Sequence, residues 1–194
     1  MVDLAPVAGQ LKLLLGGTAD NQLSAPTPCT EYTVGDLLDH LMALTLAFRF
    51  AAEKAPGSGK EGPPEASAGN LPPDWREQLH ARLDALVRAW SEPAACIGEA
   101  TAGGVTLPAD VMGVIALDEI AVHGWDLARA TGQQFECDSE STEALFALLS
   151  QPADGDGDGD GDNGLFGPAV RVSADAPLFD RVLGLAGRDP AWTP

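Results

Sequence analysis

Four long stretches of this chain repeat apolar residues at intervals of three and four, the period of an α-helix that lays one face against a core. Leu4 to Thr18 carries Leu4, Val7, Leu11, Leu14 and Leu15 before a break at Gly16-Gly17, with Pro6 tolerated in the opening turn. Thr33 offers a helix N-cap, with Asp36 three residues on as a capping-box partner, and a dense apolar run follows from Val34 to about Lys54. Asp74 to Trp90 places Trp75, Leu79, Leu83, Leu86 and Trp90 on one stripe and closes at Glu92-Pro93. Pro108 to Ala130 carries Val111, Ile115, Ile120, Val122 and Leu127, with Gly132 positioned as its C-terminal cap. Shorter helices are predicted at Ser139 to Ser150 and Leu178 to Leu185, and Pro168 to Val172 reads as a short extended segment. Gly57 to Pro73, rich in Gly, Pro, Ser and charge, reads as an exposed connection. The pattern predicts an all-α fold, a bundle of four long helices with short additional C-terminal helices and little or no β structure.

Composition narrows the partners. At 194 residues the chain is long enough for one domain with a core of its own, so residues 1–194 are read as a single unit. Eleven Lys and Arg against 29 Asp and Glu leave a net charge of -18, which repels a phosphate backbone or an anionic bilayer at long range. Nucleic acid and membrane partners are therefore not expected. The N-terminus has no basic region ahead of an apolar run, and no uncharged apolar stretch approaches the roughly 18 residues of a membrane span, so a cytoplasmic protein is expected. Cys29, Cys96 and Cys137 are odd in number and widely spaced, fitting neither a disulfide framework nor a cysteine zinc site.

Chemistry concentrates on the fourth long helix. Glu119 and His123 are four residues apart, so their side chains stack on one helix face and both can reach a single ion. Their stripe runs on through Met112, Ile115, Ala116 and Val122, and a carboxylate in apolar surroundings needs a cation or hydrogen bonds. His40 lies in line with Leu37, Leu44 and Ala47 on the apolar side of the second helix, and an antiparallel bundle would bring it opposite the pair. Two imidazoles and one carboxylate suit Zn, Ni, Mn or Fe(II) and leave coordination positions open for water or substrate. The residues alone leave two readings standing, a ligand set or a satisfied ion pair beside a hydrogen-bonded core histidine.

Other features carry less. His80, beside Arg76, Glu77 and Asp84, reads as flanking or solvent-facing. Cys29 has no basic neighbour in the sequence to lower its pKa and reads as a small buried hydrophobe. The alternating Asp and Gly from Asp154 to Gly164 resemble the start of a calcium loop, but the acidic residue required at loop position twelve is absent: Leu165, Gly167 or Ala169 would stand there. The tract, at about 152–164, is read as a flexible solvated insertion. The chain has no GxGxxG, Walker-type or GxSxG motif, which lowers dinucleotide, nucleotide and serine-hydrolase chemistry.

The segments Thr27-Pro28-Cys29-Thr30-Glu31-Tyr32-Thr33-Val34-Gly35-Asp36-Leu37-Leu38-Asp39-His40 and Glu119-Ile120-Ala121-Val122-His123-Gly124-Trp125-Asp126-Leu127-Ala128 resemble the two metal-binding motifs of the mycothiol-dependent maleylpyruvate isomerase N-terminal domain, in the DinB-like superfamily. The ending, Phe166-Gly167-Pro168 through Gly187-Arg188-Asp189-Pro190-Ala191-Trp192, resembles an actinobacterial branch of that family. The resemblance implies a DinB-like four-helix bundle whose divalent metal, commonly zinc or nickel, is held by His40, Glu119 and His123. Tyr32 stands where a Trp is usual, and the Asp-Gly tract looks inserted; neither change removes a ligand. The separate C-terminal domain that helps form the isomerase active site has no match here, so maleylpyruvate isomerase activity itself is not expected.

These readings together predict a divalent-metal-binding protein, a thiol-dependent S-transferase or isomerase of mycothiol type acting on a small electrophile. Its partners would be a small-molecule thiol and an electrophilic substrate, and a homodimer is compatible with the sequence. Asp126, a turn beyond His123, is a candidate to orient a ligand imidazole. No general acid or base is assigned. The alternatives are a non-catalytic metal- or ligand-binding module related to stress, a metal-dependent hydrolase, and a purely structural bundle.

Overall fold

The computed structural model describes residues 2–56, 59, 62, 65–151 and 168–194. The Asp-Gly tract, with Phe166 and Gly167, lies outside the described residues. Six α-helices carry the fold: α1 (Ala5–Gly17), α2 (Val34–Ala52), α3 (Trp75–Trp90), α4 (Ala109–Thr131), α5 (Ser139–Leu149) and α6 (Leu178–Leu185). Each falls within two residues of the range its apolar period predicts, because the stripe that defines a helix in sequence is the stripe that is buried. In α3 the five predicted stripe residues are the five buried ones.

The helix ends follow local chemistry. Thr33 and Asp36 form a full capping box at the start of α2: the Thr33 Oγ1 accepts from the Asp36 N–H at 3.3 Å, and Asp36 Oδ2 accepts from the Thr33 N–H at 3.0 Å. These hydrogen bonds, the Thr33 hydroxyl first, hold the Asp36 carboxyl below the usual range. Thr33→Ala is expected to cost about 1 kcal/mol, read as a lowered midpoint in urea. Because the Asp36 pKa is depressed on folding, its share of this stability is present above about pH 4 and lost as pH falls through the folded value. At the other end of α4, Gly132 caps the helix at φ 72°, as predicted.

The four long helices form a square bundle in which α1 and α2 each pack on both α3 and α4. Sequence neighbours α1 and α2 lie across a diagonal, as do α3 and α4. The α2–α4 contact brings together the helix that carries His40 and the helix that carries Glu119 and His123. α5 packs on α4 and α6. The core between the long helices is largely aliphatic, with Leu11, Leu15, Leu37, Leu38, Leu41, Leu79, Leu83, Leu86 and Ile120 fully buried.

One element departs from the expectation of little or no β structure. β1 (Glu99–Ala102) and β2 (Val105–Pro108) pair antiparallel, with Ala102 opposite Val105, so that Gly103-Gly104 alone make the turn. Both glycines have positive φ, 57° and 83°, as a two-residue primed turn requires. Gly-Gly between two short β-compatible runs is the available signal, but four-residue strands are too short for a period to stand out. The hairpin packs on α2 and α4. Pro168 to Val172 pairs as no strand; Val170 N–H instead donates to the Gly184 carbonyl at 2.8 Å.

Candidate metal centre

α4 supplies Glu119 and His123 one turn apart, and the neighbouring α2 supplies His40 facing them. Glu119 Oε2 lies 3.4 Å from His123 Nε2 and 3.7 Å from His40 Nε2. The imidazoles meet edge to face, centroids 4.9 Å apart at 84°, and the Tyr32 ring packs tilted against His40 at 5.2 Å. One donor atom from each of His40, Glu119 and His123 lies within 4.8 Å of the other two. The family resemblance groups these three residues, and the structure brings their donor atoms together.

Asp126 also stands where expected. Its Oδ2 is 3.0 Å from His123 Nδ1, and the residue is fully buried. A carboxylate can only accept here, so His123 Nδ1 carries the proton and Nε2 is the nitrogen presented to Glu119 and His40. Asp126 is held in turn by Arg188, beyond α6, through Nε at 3.1 and 3.2 Å to its two oxygens and Nη2 at 3.0 Å to Oδ2. Arg188 Nη1 donates to the Ala186 carbonyl at 3.0 Å, which fixes the guanidinium in place.

The electrostatics follow from this packing. Burial works against the Glu119 charge, but hydrogen bonds from His123 and His40 outweigh it and hold the carboxyl well below its usual range. Burial likewise opposes charge on His123, yet hydrogen bonds to Asp126 and Glu119 carry its pKa up to about 9. Asp118, next to Glu119 in the chain, faces the opposite balance: burial first, then the Glu119 charge, pushes it up to about 7. Its Oδ1 has no hydrogen-bond partner among the described residues. Sequence reasoning missed Asp118, although a carboxylate within the apolar run Ile115-Ala116-Leu117 was a visible signal.

Cys29 requires a correction. Its sequence neighbours offer no cation, but the fold brings Arg188 close enough to draw its pKa down, against burial, which is stronger and leaves the thiol raised. The half-buried Cys29 sulfur, a His123 nitrogen and an Asp126 oxygen all lie within 4.8 Å of one another. Cys29 is therefore beside the polar cluster rather than an inert core residue, though it is not an activated nucleophile. His80 is half-exposed and belongs to neither donor group, as its sequence setting suggested.

The donor set fits a divalent ion. Two ligands each about 2.0–2.1 Å from a tetrahedral centre are separated by about 3.3 Å, close to the 3.4 and 3.7 Å between Glu119 and the two imidazoles. The His123 nitrogen facing that space is the one Asp126 leaves free, which is the usual outer support of a metal-binding histidine. Among the described residues no helix is long and apolar enough to cross a membrane.

Known proteins share this arrangement of helices. The crystal structure of the mycothiol-dependent maleylpyruvate isomerase superposes with a TM-score of 0.60 at 21% identity, covering 76% of this chain and 67% of that one. A histidine-to-alanine mutant of that enzyme gives 0.59 at the same identity and coverage. At that identity the likeness establishes the DinB-like helical fold. Two Mycobacterium tuberculosis proteins, the uncharacterized Rv0738 and MT0763, are each 30% identical over 138 residues, 66% of this chain. The chain spans 64% of the length of these curated relatives. Residues 4–128, which hold His40, Glu119, His123 and Asp126, match the family described as mycothiol maleylpyruvate isomerase N-terminal domain, and the chain belongs to that family.

Proposed function

We propose that the chain is a divalent-metal-dependent enzyme of low-molecular-weight thiol chemistry, an S-transferase or isomerase that uses mycothiol or a similar thiol against a small electrophile. In this reading residues 1–194 act as one DinB-like metal-binding domain, and His40, Glu119 and His123 hold a zinc or nickel ion. The observation that carries it is the convergence of two imidazole nitrogens on one carboxylate oxygen at 3.4 and 3.7 Å, from two different helices. Family membership supports the thiol, since the family is named for its mycothiol dependence.

A bound divalent ion would supply Lewis acidity and lower the pKa of a thiol that reaches it. The protein's own residues do the rest. Around such an ion His40 and His123 would each offer a ring-nitrogen lone pair, and Glu119 would offset part of the cation's charge. Asp126 keeps the proton on His123 Nδ1, and Arg188 keeps the Asp126 carboxylate aimed. Tyr32 packs against the His40 ring and covers part of the cluster.

Metal content by mass spectrometry on tag-free protein purified without added metal tests the reading, followed by titration with a small thiol. About one transition-metal ion per chain is expected, lost in His40→Ala and in His123→Ala with helicity retained, and a thiol should bind in a metal-dependent way. No bound ion after reconstitution with Zn or Ni would overturn the enzyme. An ion that takes no thiol would leave a binding module instead.

A further inference from the structure

His123 has two faces, and the three-residue set that includes His40 uses only one of them. At the other, Nδ1, lies the Asp126 carboxylate, and Cys29, His123 and Asp126 each offer a donor atom within 4.8 Å of the other two. We propose that Cys29, His123 and Asp126 form a second cation site, selective for soft, thiophilic ions of the Cd2+ or Cu+ type, which overlaps the His40 set at His123 so that one ion excludes the other.

The sulfur is well placed for this role. Cys29 sits in the loop ahead of α2, where its carbonyl accepts from the Thr27 hydroxyl and from the Tyr32 N–H, both at 2.9 Å. An isolated bridge between Pro26 and Thr33 closes the same loop. The backbone is thus tied on both sides of the thiol, and little ordering is left to be done when an ion arrives. Asp126 is fully buried and His123 nearly so, while Cys29 is half-buried.

The donor chemistry selects the ion. One thiolate, one imidazole and one carboxylate suit a metal that bonds strongly to sulfur, whereas Mg2+ and Ca2+ require oxygen cages. Arg188 sharpens the choice. Its guanidinium engages both Asp126 oxygens and repels a cation held by charge alone, so only an ion with a strong bond to sulfur is retained. A carboxylate has about four lone-pair positions, so Asp126 can keep Arg188 and still ligate. The protons balance: the Cys29 thiol and the doubly protonated His123 ring each give one proton to solvent as the ion binds, and the thiolate offsets one charge of the incoming ion.

Exclusion between the two sets follows from the imidazole. A neutral ring has one lone pair. The Asp126 side of His123 is Nδ1. When Nδ1 ligates, any proton on it is released to solvent and the one proton left on the ring sits at Nε2, which then donates to Glu119 and is lost to the His40 set. When Nε2 ligates, Nδ1 is protonated and the Cys29 set loses its nitrogen.

The test uses the full chain with Cys96→Ser and Cys137→Ser, which leaves Cys29 as the one thiol, titrated metal-free with CdCl2. An ultraviolet sulfur-to-cadmium charge-transfer band should grow to saturation at one ion per chain. It should persist in His40→Ala, vanish with Cys29→Ser or Cys29→Ala, and require at least tenfold more Cd2+ in His123→Ala and His123→Gln. No band, or a midpoint that ignores both His123 substitutions, would overturn the site. Zn2+ uptake by the Cys29→Ser chain reads the His40 set alone, so failure of one set is not mistaken for failure of the other. Where that uptake occurs, preloading with Zn2+ should raise the Cd2+ midpoint at least tenfold; an unchanged midpoint would overturn the overlap.

Discussion

Arg188→Ala is expected to destabilise the protein by about 3–5 kcal/mol, a large share of the roughly 5–15 kcal/mol that holds a domain of this size. The reason is the partner it abandons. Asp126 is fully buried, and Arg188 supplies three of the four hydrogen bonds to its carboxylate, His123 the fourth. Removing the guanidinium leaves an ion in the interior with one donor, which costs far more than the pair contributes when intact. Arg188→Lys keeps the charge but not the fork, and should fall between the two. Urea denaturation gives the numbers. The double variant Arg188→Ala with Asp126→Asn should recover part of the loss, since it removes the stranded charge; additive losses, or an Arg188→Ala effect under about 1 kcal/mol, would show that water already solvates Asp126.

The second large effect is on pH. Without metal, Asp126 and Glu119 hold His123 doubly protonated up to about pH 9. An ion at Nε2 must displace that proton, so apparent affinity should fall about tenfold for each pH unit below about 9, or about a hundredfold between pH 9 and pH 7. Competition with a chelator across that range measures it, and a flat profile would remove His123 Nε2 from the ligand set. The same shift sets the stability of the metal-free chain. Because the His123 pKa is raised on folding, its contribution is fully present below about pH 6.5, the unfolded value, and is lost as pH rises through about 9. Glu119 shifts the other way, so its contribution is present above about pH 4.3 and is lost as pH falls further. The metal-free protein should therefore be most stable in mildly acidic solution, with a weaker dependence above pH 7 once an ion replaces the proton on His123.

The residues behind these effects differ in how visible they are in the sequence. Glu119, His123 and Asp126 stand on one helix at spacings of four and three, and helix geometry alone puts them on one face. The apolar period of α4 and its Gly132 cap make that helix legible from the residues themselves. His40 can be placed on the apolar side of its own helix, but its meeting with Glu119 depends on α2 and α4 being neighbours. A bundle has several ways to order its helices, and apolar stripes say which face is buried without saying against what.

Arg188 and Cys29 are out of reach for a stronger reason. Arg188 acts through Asp126, 62 residues away in the chain, and Cys29 meets His123 only because the loop ahead of α2 folds over α4. The pull of Arg188 on the Cys29 thiol is a matter of distance through space, so the sequence neighbours of Cys29 show no cation. The Gly103-Gly104 hairpin escapes sequence reading for the opposite cause: its signal is local but too short to show a period. Sequence alone determined the helices, the Thr33 and Gly132 caps, the buried face of each long helix and the pairing of Glu119 with His123, because these depend on contacts within about two turns of the chain. The tertiary structure decided which helix faces which, and with it the approach of His40, the Arg188 support beneath Asp126 and the second face of His123, because those contacts join residues that only packing brings together.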